Sequence, residues 1–189
     1  MMKEVVVQAL FQKQKKVIRK IGPAPAAILI PIYEKAGEYY LVLTKRTENV
    51  SNHKGQISFP GGSYEVGDRT LRNTAIRETC EEIGIDPMDV EIIGELDDIE
   101  TTTNFVISPF VAFIPYPYEF RSNAREVEEI IEVPISALLD GENIREEQKC
   151  RDGKFVAEYS YEYRDWIIWG ATAKILKQFL ELVSSHNGM

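Results

Sequence analysis

Glu78, Glu81 and Glu82 crowd together in RETCEEIGI, a short way behind the proline and two glycines of FPGG. At about 100° per residue on a helix, the three carboxylates share an arc of roughly 100°. Glu78 lies one helical turn from both of the others, and each like-charge pair costs about a few tenths of a kcal/mol when nothing compensates. Arg77 offsets part of this through Glu81 but cannot neutralise all three. Two readings are open: a solvated acidic face, or a set of oxygens meant to hold something positive. Mg²⁺ and Mn²⁺ would remove the repulsion, because they prefer carboxylate and water oxygens and complete their shell with phosphate. The segment before the helix favours the second reading. Gly61 and Gly62, with Gly67 soon after, let the backbone turn sharply and bring its amides and carbonyls close to a ligand at the helix mouth.

These residues need a scaffold, and the chain supplies one. The acidic helix is predicted from Leu71 to Ile83, ended by Gly84 where a left-handed residue is preferred. Leu71, Ala75, Ile76, Thr79 and Ile83 occupy the arc beside the acids and give it a packing face. Upstream, PAPAAILIPIY and YYLVLTKR flank EKAGE, a hairpin signal, and ISFPGG is a short strand stopped by Pro60. Downstream, VEIIGELDDIE and FVISPFVAFIPY are strand-like and ISALLD is a short helix. KFVAEYSYEYRDWIIW is a hairpin turning near Tyr163 to Asp165. ATAKILKQFLELV is an amphipathic helix with Ala173, Leu176, Phe179, Leu180 and Val183 on or near one face. At the start, Val6, Leu10, Val17, Ile18 and Ile21 recur at roughly helical spacing among lysines and arginines. This predicts an amphipathic helix over residues 1–22, packed on its own domain or on a second subunit as in a homodimer, ahead of a domain over 23–189. The irregular alternation of strands and helices predicts an α/β fold with a mixed sheet between helical layers.

Composition narrows the function class. A chain of 189 residues, 44% hydrophobic and 28% charged, is of the size and make-up of one globular domain. Its formal net charge of −8 argues against general binding to nucleic acid or to an anionic membrane, because the long-range field repels polyanions. An anionic substrate therefore needs local cations. Cys80 and Cys150 form no CxxC pair, which predicts free thiols and a reducing, cytoplasmic setting. No apolar run approaches the length of a membrane span, and the apolar stretch at the start is too short and interrupted for a signal peptide.

The central segment resembles the Nudix box, G-x5-E-x7-R-E-U-x-E-E-x-G-U, where U is a bulky aliphatic. Arg77 to Ile85 follows its second half, with Thr79 in place of the aliphatic. The first half departs: Gly62 lies one residue too far from Arg77, and Asp68-Arg69 stands where a single glutamate is expected. The resemblance implies a Nudix α/β/α sandwich and hydrolysis of a nucleoside diphosphate linked to another group. It implies Mg²⁺ or Mn²⁺ on Glu78, Glu81 and Glu82, with the backbone carbonyl near Gly62 as a further ligand and Arg77 orienting a glutamate. Diphosphates are kinetically inert anions, and cations bridging their oxygens neutralise charge and acidify a bound water. The base is then a metal-bound acid or one carried by a loop, for which Glu126 in NAREVEEIIEV is the candidate; one more charge beside a strand is its plain alternative.

LTKRTENVSNHKGQISFPGG resembles a second signature, L-L-T-x-R-(S/A)-x3-R-x3-G-x3-F-P-G-G, of the coenzyme A diphosphatase branch of this family. Leu43 to Arg46, Gly55 and Phe59 to Gly62 are in register; Thr47 replaces the small residue and Ser51 the second arginine. The resemblance implies a coenzyme A or acyl-CoA substrate contacted by Arg46, Lys45, Gly61 and Gly62. His53 and Lys54 are replacements for the lost charge, unless they belong simply to a solvated loop. Trp166 to Ala173 also looks like this branch; its two tryptophans suit either a core or stacking on adenine.

Overall fold

The computed structural model describes residues 2–47, 55–151 and 154–186. Helix α1 (Met2–Gln12) precedes strands β1 (Ala24–Lys35), β2 (Glu38–Arg46), β3 (Ile57–Ser58) and β4 (Gly61–Ser63). Helix α2 (Leu71–Ile83) follows, then β5 (Glu91–Glu95), β6 (Ile99–Glu100), β7 (Phe105–Phe113), β8 (Val127–Pro134) and α3 (Ile135–Leu139). The chain continues through β9 (Ile144–Arg151), β10 (Lys154–Tyr163) and β11 (Trp166–Ile168) into α4 (Gly170–His186).

Among the described residues, β1 to β8 form one mixed sheet along the path β3-β2-β1-β7-β5, with β4 also on β1, β6 on β7 and β8 on β2. β1 and β7 run parallel from Ala24↔Phe105 to Ile32↔Phe113. β1 and β2 make the expected hairpin, turned by Ala36 and Gly37 at positive φ of 53° and 84°, as a two-residue loop matched to the strand twist requires. β9, β10 and β11 form a second, antiparallel sheet.

β1 is buried from Ala26 to Tyr33 without alternation, because helices cover both faces of the main sheet. On one face Ala27, Leu29, Phe110 and Ala112 pack with Ala75 of α2, and Tyr33, Val42 and Ile114 with Ile83. On the other, Ile28, Ile30, Ile32, Leu41 and Leu43 join Leu176, Phe179 and Val183 of α4 and Val6 and Leu10 of α1. This is the expected α/β/α sandwich. The N-terminal helix lies in this cluster, with Leu10 against Gly94 so closely that a Cβ there would lie 2.9 Å from Leu10 Cβ.

The helix is shorter than expected. It stops at Gln12, and residues 13–20 run without regular structure. Lys16 and Ile18 donate their backbone N–H groups to Asp97 and Asp98. Lys13 and Lys15 pair with Asp97 and Asp98, and Lys15 and Lys20 with Glu95 and Glu100. Side-chain and backbone partners on the β5–β6 connection replace the helical hydrogen bonds, so Val17 and Ile21 stay exposed despite their spacing. Both cysteines are free thiols, and no helix of the described residues is long and apolar enough to cross a membrane.

Candidate active site

α2 is held at both ends. Thr70 Oγ1 accepts the N–H of Asn73, and Gly84, at φ 69° and ψ 28°, donates its N–H to Cys80 O, the left-handed stop that glycine takes without strain. Thr79, in the aliphatic position of the box, is fully buried and satisfies its hydroxyl on Ala75 O at 2.6 Å. β4 lies alongside: Gly61 and Gly62 pair with Ile28 and Ala27. A Cβ on Gly61 would stand 2.4 Å from Ala27 O, and one on Gly62 only 2.5 Å from Cδ of Glu78. Gly61 therefore lets this backbone close on β1, and Gly62 brings it directly against the first acid of the helix.

The three glutamates occupy different environments. Glu82 is 3% exposed, accepts the Gly61 N–H at 3.3 Å and lies 3.8 Å from Arg46 Nη1. Burial pushes its pKa up to about 8; Arg46 and the Gly61 N–H pull the other way, and the charges of Glu78 and Glu126 add to the rise. Burial also raises Glu78, opposed by Arg77 and reinforced by Glu81 and Glu126. Glu81 is exposed. A solvated acidic face thus describes Glu81 alone. Arg77 Nη1 stands 2.9 Å from Glu78 and 3.2 Å from Glu81, so one guanidinium bridges both.

What holds Arg77 there is Asp68, a residue to which sequence reasoning assigned no firm role. Arg77 Nε and Nη2 donate to the two Asp68 oxygens at 2.7 and 3.1 Å, and Nη2 also donates to Ser63 O. Asp68 accepts from Thr74 Oγ1 and from the Glu65 N–H as well. The extra residue in the box is absorbed at Arg69, whose φ of 63° follows the short 3₁₀ turn Val66–Asp68. The aspartate, one position before the expected glutamate, is thereby the acid that holds Arg77. The acid immediately before the misplaced position was the available signal.

Arg46 Nη1 lies beside the acid Glu82, and among the described residues its Nε is buried with no hydrogen-bond partner. Lys45 is directed to Glu128 instead, at 2.7 Å. Glu126 sits on the turn at 123–126, where its carbonyl accepts the Thr47 N–H and Asn123 Nδ2 donates to its carboxylate. Its charge is felt by both Glu78 and Glu82. His53 and Lys54, and with them Ser51, lie outside the described residues.

Among the described residues no three acidic, histidine or cysteine side chains already converge as a ligand shell. The donor chemistry nevertheless fits a hard divalent cation. Two desolvated carboxylates, a third at the surface and a glycine backbone pressed against one of them are all oxygen donors, and Mg²⁺ takes few protein ligands, keeping waters and substrate phosphate. Burial is the main cause of the raised values of Glu78 and Glu82, and a cation held between them would act against it.

The NUDIX domain pattern matches residues 22–158. The chain is 34% identical over 158 residues, 84% of each chain, to the uncharacterized Nudix hydrolase NudL of Photorhabdus laumondii. It is 33% identical to the protein of that name from Salmonella dublin, over 85% of this chain and 83% of that one. Among solved structures, a MutT/nudix family protein from Enterococcus faecalis superposes with a TM-score of 0.59 at 15% identity, over 97% of this chain and 70% of that one. A MutT protein from Methanosarcina mazei gives 0.53 at 19%, over 94% and 100%; these two likenesses speak for the fold. With an acidic helix, a glycine loop and an arginine clamp in the arrangement just described, the chain belongs to the Nudix hydrolase family.

Proposed function

We propose that this chain hydrolyses the diphosphate linkage of coenzyme A or acyl-CoA, giving adenosine 3′,5′-bisphosphate and 4′-phosphopantetheine or its acyl form. The observation that carries this reading is Arg46. It stands at the first arginine of the coenzyme A signature, it lies beside the most buried acid of the helix, and among the described residues its Nε is buried without a partner. A phosphoryl group of a diphosphate offers two oxygens that such a guanidinium can bind in a bidentate pair.

A bound Mg²⁺ or Mn²⁺ on Glu78, Glu81, Glu82 and the backbone carbonyl near Gly62 would neutralise diphosphate oxygens and lower the pKa of a bound water. The protein does the rest. Arg77, fixed by Asp68, keeps Glu78 and Glu81 oriented. Arg46 holds the diphosphate, and Glu126 takes the proton of the attacking water. The water oxygen bonds to phosphorus, the bridging P–O bond breaks, and attack at either phosphorus gives the same products.

Ser51, in place of the branch's second arginine, favours a second reading: another nucleoside diphosphate derivative such as ADP-ribose or a dinucleotide. Turnover of coenzyme A, its 3′-dephospho form, ADP-ribose and a dinucleotide, each with Mg²⁺ or Mn²⁺, separates them. Coenzyme A should lead its dephospho form by about tenfold, the effect of one charge-assisted phosphate contact of about 1.5 kcal/mol; equal rates would favour the second reading. Glu82→Gln should keep the fold and lower kcat by about 10²–10³, because it weakens the charge stabilisation at the transferring phosphoryl group. Unchanged hydrolysis would remove the mechanism, and hydrolysis of nothing in the panel by the parent protein would leave a nucleotide-sensing module.

A further inference from the structure

Trp166 and Trp169 are the chain's two tryptophans, and the fold treats them differently. Trp166 packs inward, stacked with Tyr163 at 6.0 Å and covered by Arg164. Trp169 is 54% exposed. It continues the outward alternation of β11 beyond buried Ile168, on the side of exposed Ile167.

Its neighbourhood leads back to the acids. Gly170, at φ 67°, turns the chain into α4, and its Cβ position is 3.6 Å from Gln56 Nε2. Gln56 O accepts the Arg46 N–H at 3.0 Å, and Gly55 donates back to Arg46 O. Thr172 Oγ1 fixes the first turn of α4 to Ile57 O at 3.1 Å. Glu82 is thus linked to the neighbour of Trp169 through the Arg46 guanidinium, the Arg46–Gln56 backbone pairing and the Gln56 side chain, which puts the exposed indole on the chain segment next to the site.

We infer that Trp169 is the base platform of the site: the adenine ring of the substrate stacks on its exposed indole while Arg46 holds the diphosphate. This rests on the reading of the substrate as an adenine nucleotide derivative. Stacking on an aromatic face recognises a purine by shape and polarisability, so Trp169 sets which half of the molecule is held and how tightly, without touching the reacting atoms.

Two measurements on the full chain test it. Adenosine 3′,5′-bisphosphate, titrated without divalent metal, should quench tryptophan emission in the parent protein and in Trp166→Phe, and not in Trp169→Phe. Trp169→Ala should bind this nucleotide roughly 5- to 150-fold more weakly, with KM raised similarly and kcat within about threefold; Trp169→Phe should recover most of the loss. Quenching that persists in Trp169→Phe, or an unchanged affinity in Trp169→Ala, would overturn the platform while leaving hydrolysis untouched. Hydrolysis of no adenine-containing diphosphate, with quenching retained, would instead remove the reading of the reaction and leave the platform standing.

Discussion

Asp68 binds Arg77 through both carboxylate oxygens and takes two further hydrogen bonds, from Thr74 and Glu65, at a position almost closed to water. The Arg77 hydrogen bonds hold its pKa well below the ordinary 3.8 against the opposing effect of burial, helped by the Glu65 and Thr74 donors. The unfolded chain therefore takes up this proton at a higher pH than the folded one. The stability it contributes is complete above the ordinary carboxylate range and is lost as pH falls below it toward the folded value. Asp68→Asn should cost about 3–5 kcal/mol near neutral pH, as breaking a buried ion pair does, lowering Tm by roughly 10 °C for a chain of this size. The gap between variant and parent in urea unfolding should narrow steadily below about pH 4. A gap that stays constant into acid would mean that Asp68 serves by shape rather than charge. Arg77 was legible in the sequence as a support for the acids. Its own support was not, because pattern matching asks for a residue type at a fixed count, whereas the chain solves the geometry with a shorter acid and one residue at positive φ.

Elements written in local pattern were legible: α2 with its glycine stop, the β1–β2 hairpin, the β10–β11 hairpin and the inward face of α4. Those whose reason lies elsewhere were not. β8 places Val127, Ile131 and Val133 inward among outward glutamates, and β9, full of charge, is a strand only because β10 pairs with it from Ile144↔Tyr161 to Arg151↔Lys154. The segment after Gln12 has helical spacing but finds its partners some eighty residues away in Asp97 and Asp98. The contact between β4 and α2 is also of this kind: the glycines suggested a ligand, but only the fold shows that Gly62 has Glu78 against it. Gly62→Ala tests that contact, because its strain is all in space and none in a positive φ. The added methyl should displace the Glu78 carboxylate, cost about 1–3 kcal/mol as overpacking does, and raise the Mn²⁺ concentration needed for half-maximal hydrolysis. A variant that melts lower yet keeps its metal requirement would separate Gly62 from the metal site.

At the scale of the whole molecule, the first twenty residues pose the question of whether they form a separate module. Val6, Ala9 and Leu10 are buried in the same cluster as Leu176, Phe179 and Val183 of α4, and the basic stretch that follows is clamped along an acidic strip. Most of those ion pairs are partly open to water: Lys20–Glu100 has side chains 55% and 40% exposed. Such pairs contribute about 0–1 kcal/mol each and are screened by salt. The Asp98 carboxylate is different, being buried and shared among Lys15 Nζ at 3.0 Å, the Ile18 N–H at 2.9 Å and Ser108 Oγ at 2.7 Å. Apolar burial and this one carboxylate, rather than the count of lysines, should fix the segment to the body. The N-terminal residues and the rest should then unfold together in one calorimetric transition whose van't Hoff and calorimetric enthalpies agree. Raising salt from about 0.05 to 0.5 M should move that transition by only a few degrees, because only the exposed pairs are screened. Asp98→Ala should lower it by an amount equivalent to about 3 kcal/mol, since it leaves the Ser108 hydroxyl and the Ile18 N–H without their acceptor and Lys15 with Glu95 alone. Two resolved transitions in the parent protein, the smaller abolished by salt, would mean that the clamp is electrostatic and the N-terminal segment an independent arm.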